Sequence, residues 1–290
     1  MAWSLPYTIH LGYGPPALRP QFLETVGTDD LEAHVRYAAE LGVAGVLYPW
    51  ALQRPPDEVA RVRQAIADTG LAASCVVSVP LEALSTTIWT ERSAANSARL
   101  EGYVRHAARL ANSLNSTVLA VLIAADPQRP DGPAQRADAA ANLRDMARIA
   151  ADHGLTIGIE PMVALPGMLL HDTADAVSLI IQADHQDVGL IYDTAHVSAM
   201  DGEILRPFID SYEYVVLIQL ADEPGRVEPG GGKLDIVPVA VEAIRQGYRG
   251  LVDLEHEWLT PTKGGEQAGL ERIRRFDTAV QEHLGRPDPT

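Results

Sequence analysis

The chain has 290 residues, 47% of them hydrophobic, which is enough for one large domain with a filled core. Its formal net charge of −16 and the lack of a basic patch argue against nucleic acid and anionic membrane surfaces as partners. One cysteine, Cys75, cannot form an internal disulfide and fits a reduced compartment.

The N-terminus shows no basic segment followed by a long apolar run, so a signal peptide is not expected. No run approaches the ~18 apolar residues of a membrane span. A cytoplasmic protein is the expectation, acting on a small molecule. No linker or composition break divides residues 1–290, so a single domain is expected.

Eight short apolar runs follow in order: YTIHL, AGVLY, AASCVVSV, STVLAVLI, LTIGIE, VGLIYD, YVVLIQL and GLVDLE. Each has the length and Val/Ile/Leu content of a buried strand. Helical patterns separate them. The first, TDDLEAHVRYAAELG, has Thr28 or Asp29 as its expected cap and Gly42 past its end. Seven more follow, ending with GLERIRRFDTAVQEHLG; the stretch DPQRPDGPAQ reads as a loop leading into one of them. Strict β/α alternation implies parallel strands with right-handed crossovers. Eight units in about 250 residues predict a closed (β/α)8 TIM barrel. An open doubly wound sheet would want a Gly-rich turn after its first strand, and LGYGPPALRP is a poor phosphate-binding helix start.

In such a barrel the chemistry sits at the C-terminal strand ends. The last four predicted strands end on Glu160, Asp193, Gln219 and Glu255. They recur roughly every 30 residues, about one βα unit, so they should meet at one rim. Singly, each could be a strand end bonded to a loop amide. Three converging carboxylates repel unless a cation sits among them. A divalent metal held by three carboxylate oxygens and one amide oxygen removes the conflict, and all-oxygen ligation favours Mg²⁺ or Mn²⁺.

Other residues stay open. His196 could touch a ligand or cap the next helix. Arg226 could neutralise a substrate oxyanion or pair with Asp222 or Glu223. His10 could face the mouth or pack inside; His171 is expected to precede or cap a helix. Trp50 and Trp258 could wall a pocket or pack ordinarily. Cys75 reads as a core strand residue. GGGK fails the phosphate-loop spacing, and EHEW lacks the second His of a zinc-protease motif.

The set IGIEPM, GLIYDTAH, IQLADEPGRVEPGGGKLDI and LVDLEHEW resembles the xylose-isomerase-like sugar isomerase/epimerase superfamily. Within it the resemblance is nearest to hydroxypyruvate isomerases. It implies a metal on Glu160, Asp193, Gln219 and Glu255, with Glu160 and Glu255 also transferring protons on opposite substrate faces. It implies that His196 and Arg226 bind substrate oxygens. Relatives are often dimers or tetramers, which makes a homo-oligomer compatible with the resemblance. Three positions depart from the pattern: Val163 replaces an Asn, Ser198 a Gln, and Leu47 an acidic residue at the second strand. They bear on the substrate more than on the metal.

The expected activity is isomerisation or epimerisation of a small sugar or hydroxy-keto acid through an enediolate. Loss of a β-hydroxyl from that intermediate would make a dehydratase or lyase, including one acting on keto-cyclitols or oxidised C-glycosides. A non-catalytic sugar-binding barrel is a different class. A DNA-repair nuclease would need a richer His cluster and a basic face.

Overall fold

The computed structural model describes residues 2–14, 18–129, 132–162 and 167–285. The strands are β1 (Tyr7–His10), β2 (Gly45–Leu47), β3 (Ala72–Ala73), β4 (Cys75–Val77), β5 (Val118–Val121), β6 (Thr156–Ile159), β7 (Val188–Asp193), β8 (Val215–Leu220) and β9 (Val252–Leu254). All neighbours pair in parallel, in the order β3-β2-β1-β9-β8-β7-β6-β5-β4. The β1–β9 pairing excludes the open doubly wound sheet.

Nine strands stand where eight were expected, because the run AASCVVSV is interrupted at Ser74. Its first piece pairs with β2 and its second with β5. Chain continuity through Ser74 therefore closes the ring, and the architecture is the predicted (β/α)8 barrel. The Ser74 amide still donates to Val46 O at 2.9 Å, and Ser116 Oγ donates to Ser74 O at 3.2 Å.

The helices are α1 (Leu23–Val26), α2 (Leu31–Leu41), α3 (Pro56–Thr69), α4 (Leu81–Leu84), α5 (Ala94–Ser113), α6 (Gly132–Ala151), α7 (Thr173–Ala183), α8 (Thr194–Asp201), α9 (Leu205–Ser211), α10 (Val237–Arg245) and α11 (Lys263–Leu284). The α2 cap differs from expectation. Asp30 is the N-cap without a side-chain bond, and the Thr28 hydroxyl accepts from the Asp30 amide instead. The Gly42 stop is where predicted, with φ of 70°. His171 is exposed and precedes α7, whose cap is Asp172.

Strand alternation sorts the core. Tyr7, Ile9, Val46, Val76, Leu119, Ile157, Leu190, Ile218 and Leu254 face outward into the main cluster shared with the helices. Leu47, Cys75, Val77, Val118, Ala120, Leu122, Ile191 and Leu217 form a second cluster with Trp50 inside the barrel. Gly158 is required there, since a Cβ on it would lie 2.7 Å from Ile191 Cγ1. Cys75 is buried in this inner cluster, as its run predicted.

Candidate active site

The four predicted strand-end residues lie at one end of the barrel, and all are buried. Asp193 and Gln219 are register partners on β7 and β8. Glu160 and Glu255 follow β6 and β9 directly. The Gln219 amide donates to Glu255 Oε2. Its own Oε1 is buried and has no hydrogen-bond partner among the described residues.

Asp193 also caps α8, because its Oδ1 accepts from the His196 amide at 2.9 Å. The helix therefore starts on a potential metal ligand and carries His196 in its first turn. The capping role belongs to Asp193, and the His196 ring turns to the mouth. His196 Nε2 lies 3.7 Å from Glu160 Oε1. Glu160, Asp193 and His196 present ligand atoms within 4.8 Å of one another. That grouping brings a nitrogen donor into reach, which the sequence argument had placed on the substrate.

Arg226 pairs with neither Asp222 nor Glu223, the two ion-pair partners considered from sequence. Its guanidinium donates to Asp193 Oδ2 at 2.6 Å and to Glu255 Oε1 at 2.7 Å. It lies 5.2 Å over the Tyr13 ring. The mutual repulsion of the acids is thus relieved by an arginine and by protons. Burial and then the Asp193 charge push Glu160 up to about 8. Burial drives Glu255 up as well, with Arg226 opposing and Glu160 reinforcing. Burial also pushes Asp193 upward, but Arg226 and then His196 outweigh it and hold Asp193 low. Burial lowers His196, leaving a neutral imidazole at ordinary pH.

The loop after β8 explains how Arg226 is held. Asp222 is buried and accepts from the amides of Glu223 (2.8 Å), Gly230 (3.1 Å), Gly232 (2.9 Å) and Leu234 (2.8 Å). Gly232 has to be glycine, since a Cβ would sit 2.4 Å from Asp222 Oδ1. A short antiparallel bridge, Asp222 to Val227, folds the loop back on itself. β8 and β9 are parallel, so the reversal is internal to the loop. Arg226 occupies its tip at φ 51°, an unfavourable left-handed backbone for a residue with a Cβ. Buried Glu228 accepts from the Leu259 amide at 2.9 Å and from Arg272, tying the loop to the segment after β9.

Asp253 was not singled out from the sequence. It shares the inward face of β9 with Glu255, two residues away, and that alternation was a usable signal. Thr8 donates to it at 2.6 Å, and its Oδ2 has no partner among the described residues. Burial pushes its carboxyl up to about 7.

His10 is buried at the mouth and engaged on both ring nitrogens, so its two expected placements merge. The Gly12 amide donates to Nδ1 at 3.3 Å, so Nε2 carries the proton and donates to His256 O at 3.0 Å. Trp50 belongs to the inner cluster beside the mouth. Trp258 packs in the outer core against Phe22 and His256 and is no pocket wall. Ser198 is half-buried on α8, and Val163 lies outside the described residues.

A cation fits the donor set. The orphaned Gln219 Oε1, two carboxyl groups and a neutral imidazole nitrogen are lone-pair donors in one buried crescent. Among the described residues no helix is long and apolar enough to cross a membrane.

The chain and its fold match known proteins. Residues 35–276 match the family model of the xylose isomerase-like TIM barrel, and the chain belongs to that family. Among curated proteins it is 30% identical over 174 residues to a 3-dehydroshikimate dehydratase of Pseudomonas aeruginosa, covering 54% of this chain and 26% of that protein. It is 27% identical over 164 residues to the hydroxypyruvate isomerase of Escherichia coli, covering 56% of this chain and 64% of the isomerase. The chain thus spans under two thirds of either relative. The solved 3-keto-D-glucoside 4-epimerase of E. coli shares the fold, with a TM-score of 0.73 at 18% identity over 95% of this chain and all of that one.

Proposed function

We propose that the protein is a divalent-metal-dependent isomerase or epimerase of a small α-hydroxy carbonyl compound, a sugar or a hydroxy-keto acid. The observation that carries this reading is the pair Glu160 and Glu255. Both are buried carboxyls pushed upward, and both flank a crescent of metal-ligand donors. A carboxylate held beside the α-carbon can accept a proton and return it.

Glu160, Asp193, Gln219 and Glu255 would hold the ion, with His196 in reach; Mg²⁺ or Mn²⁺ suits the mostly oxygen donors. Bound there, the ion would polarise the substrate carbonyl and acidify the neighbouring C–H. The rest is work for this chain. One glutamate takes the α-proton and leaves an enediolate. The other delivers a proton: in epimerisation to the opposite face of the same carbon, in isomerisation to the adjacent carbon, while the hydroxyl proton passes to the former carbonyl oxygen. Arg226 donates to the substrate oxygens on which charge grows, and His196 does so when its Nε2 carries the proton rather than facing the ion. Buried surroundings strengthen these contacts by excluding water.

Solvent exchange tests the reading. Metal-loaded protein in D₂O should incorporate deuterium at the carbon beside the carbonyl of any compound it turns over. Turnover without such exchange would remove the shared intermediate. A dehydratase is the second reading, favoured by the similarity to the P. aeruginosa dehydratase. Product mass separates them, since dehydration removes one water.

A further inference from the structure

Tyr13 stands in the loop after β1, and that loop is tied down around it. Arg54 Nη2 donates to Leu11 O at 3.4 Å and to Leu18 O at 3.2 Å, so one side chain clamps the segment on both sides of Tyr13. Gly12, at φ 105°, lets the chain close there, since a Cβ on it would lie 2.7 Å from the Leu18 carbonyl carbon. Trp50 Nε1 donates to Tyr13 O at 2.5 Å. The Tyr13 and His10 rings meet edge to face, 4.8 Å between centroids. Tyr13 is half-buried, and the Arg226 guanidinium lies over its ring at 5.2 Å. The same guanidinium bonds Asp193 and Glu255. Arg226 is therefore held twice, by the acids through its N–H groups and by Tyr13 through its flat face.

We propose that Tyr13 is a positioning residue: its ring holds Arg226 against Asp193 and Glu255 and so sets how tightly the crescent takes a divalent cation. This rests on the metal-holding part of the proposed function. The reasoning is competition. A hydrated divalent ion gains its stability from oxygen donors, so it can take over the two acids but has no use for the ring. The ring contact is made while Arg226 sits on the acids, and it favours that arginine-filled state over the metal-filled one. A cation over a partly desolvated aromatic face is worth about three- to tenfold in an equilibrium constant.

A double-mutant cycle tests this. By titration calorimetry, Tyr13→Leu should bind Mn²⁺ about three- to tenfold more tightly than the wild type. Tyr13→Phe keeps the aromatic face and should stay within about twofold. In an Arg226→Met background, Tyr13→Leu should change the Kd by less than about twofold, a result that a merely structural role would not give. Tyr13→Met takes the place of Tyr13→Leu if that variant misfolds. Unchanged or weaker Mn²⁺ binding by folded Tyr13→Leu overturns the proposal, as does an equal tightening in the Arg226→Met background. Urea unfolding of the metal-free proteins separates this claim from the metal reading. If the wild type binds no Mn²⁺, the metal reading falls. The hold on Arg226 then stands only if Tyr13→Leu lowers the urea midpoint more with Arg226 present than in the Arg226→Met background, and an equal loss in both overturns it.

Discussion

The Arg226 guanidinium lies 2.6 Å from the Asp193 carboxylate, and the same Nη2 reaches Glu255 at 2.7 Å. One side chain thereby joins two acids from different strands and holds positive charge where a divalent ion would want it. Arg226→Met should therefore raise Mn²⁺ affinity at least tenfold by calorimetry, because a like charge leaves the neighbourhood. The metal-free protein should lose about 3 kcal/mol in urea unfolding, since a buried ion pair is broken on one side. Unchanged metal affinity would mean that arginine and metal do not share these acids.

Metal uptake should release protons. Glu160 holds its proton up to about 8, and Glu255 is raised too. A metal needs the ionised carboxylates, so binding below that range must expel what they carry. Calorimetry in two buffers of different ionisation enthalpy should show at least about one proton released near neutral pH. The share that comes from Glu160 should fade as pH rises past about 8.

Glu160→Gln and Glu255→Gln should each reduce deuterium exchange by about 10²–10⁴-fold, the range of a lost acid–base group. Stability should change little, within about 1 kcal/mol, because glutamine copies the shape of a carboxyl already raised toward its neutral form. A variant that keeps wild-type exchange would exclude that glutamate from proton transfer.

Asp222 has no place in the chemistry but determines where Arg226 stands. Replacing it with Ala strands four backbone amides and should cost about 3 kcal/mol of stability. Under the proposed function kcat should fall more than KM rises, since loosening the loop moves the cation meant to meet the charge that grows on the substrate.

His10 should make the fold acid-sensitive. Burial and then the His256 charge lower its pKa from 6.5 to about 3. The unfolded chain takes up a proton below about 6.5 while the folded chain does not, so stability is full above that value and declines as pH falls toward 3. At pH 5 this one group accounts for about 2 kcal/mol. His10→Gln should flatten the stability profile between pH 7 and 5; an unaltered slope would show that other groups set it.

Much of this was legible in the sequence because a barrel writes its topology in a regular alternation. The spacing of Glu160, Asp193, Gln219 and Glu255 sufficed to bring them together, since successive parallel strands end at one rim. What escaped depended on contacts across long sequence distances. Nothing local marks Arg226 as the partner of Asp193 and Glu255 rather than of its neighbours Asp222 and Glu223. Asp222 entered only as a possible partner of Arg226, because its four bonds go to backbone, which has no sequence identity. The break at Ser74 was invisible in a continuous apolar run. Asp253 could have been found by applying the period-two rule one step further back from Glu255.

The residues of the acidic crescent also lie in one stretch of the chain. Glu160, Asp193, Gln219 and Glu255 all follow residue 155, on or just after β6, β7, β8 and β9. Under the proposed function, the groups that would move protons are carried by consecutive βα units, so drift in the first half of the polypeptide can leave them untouched.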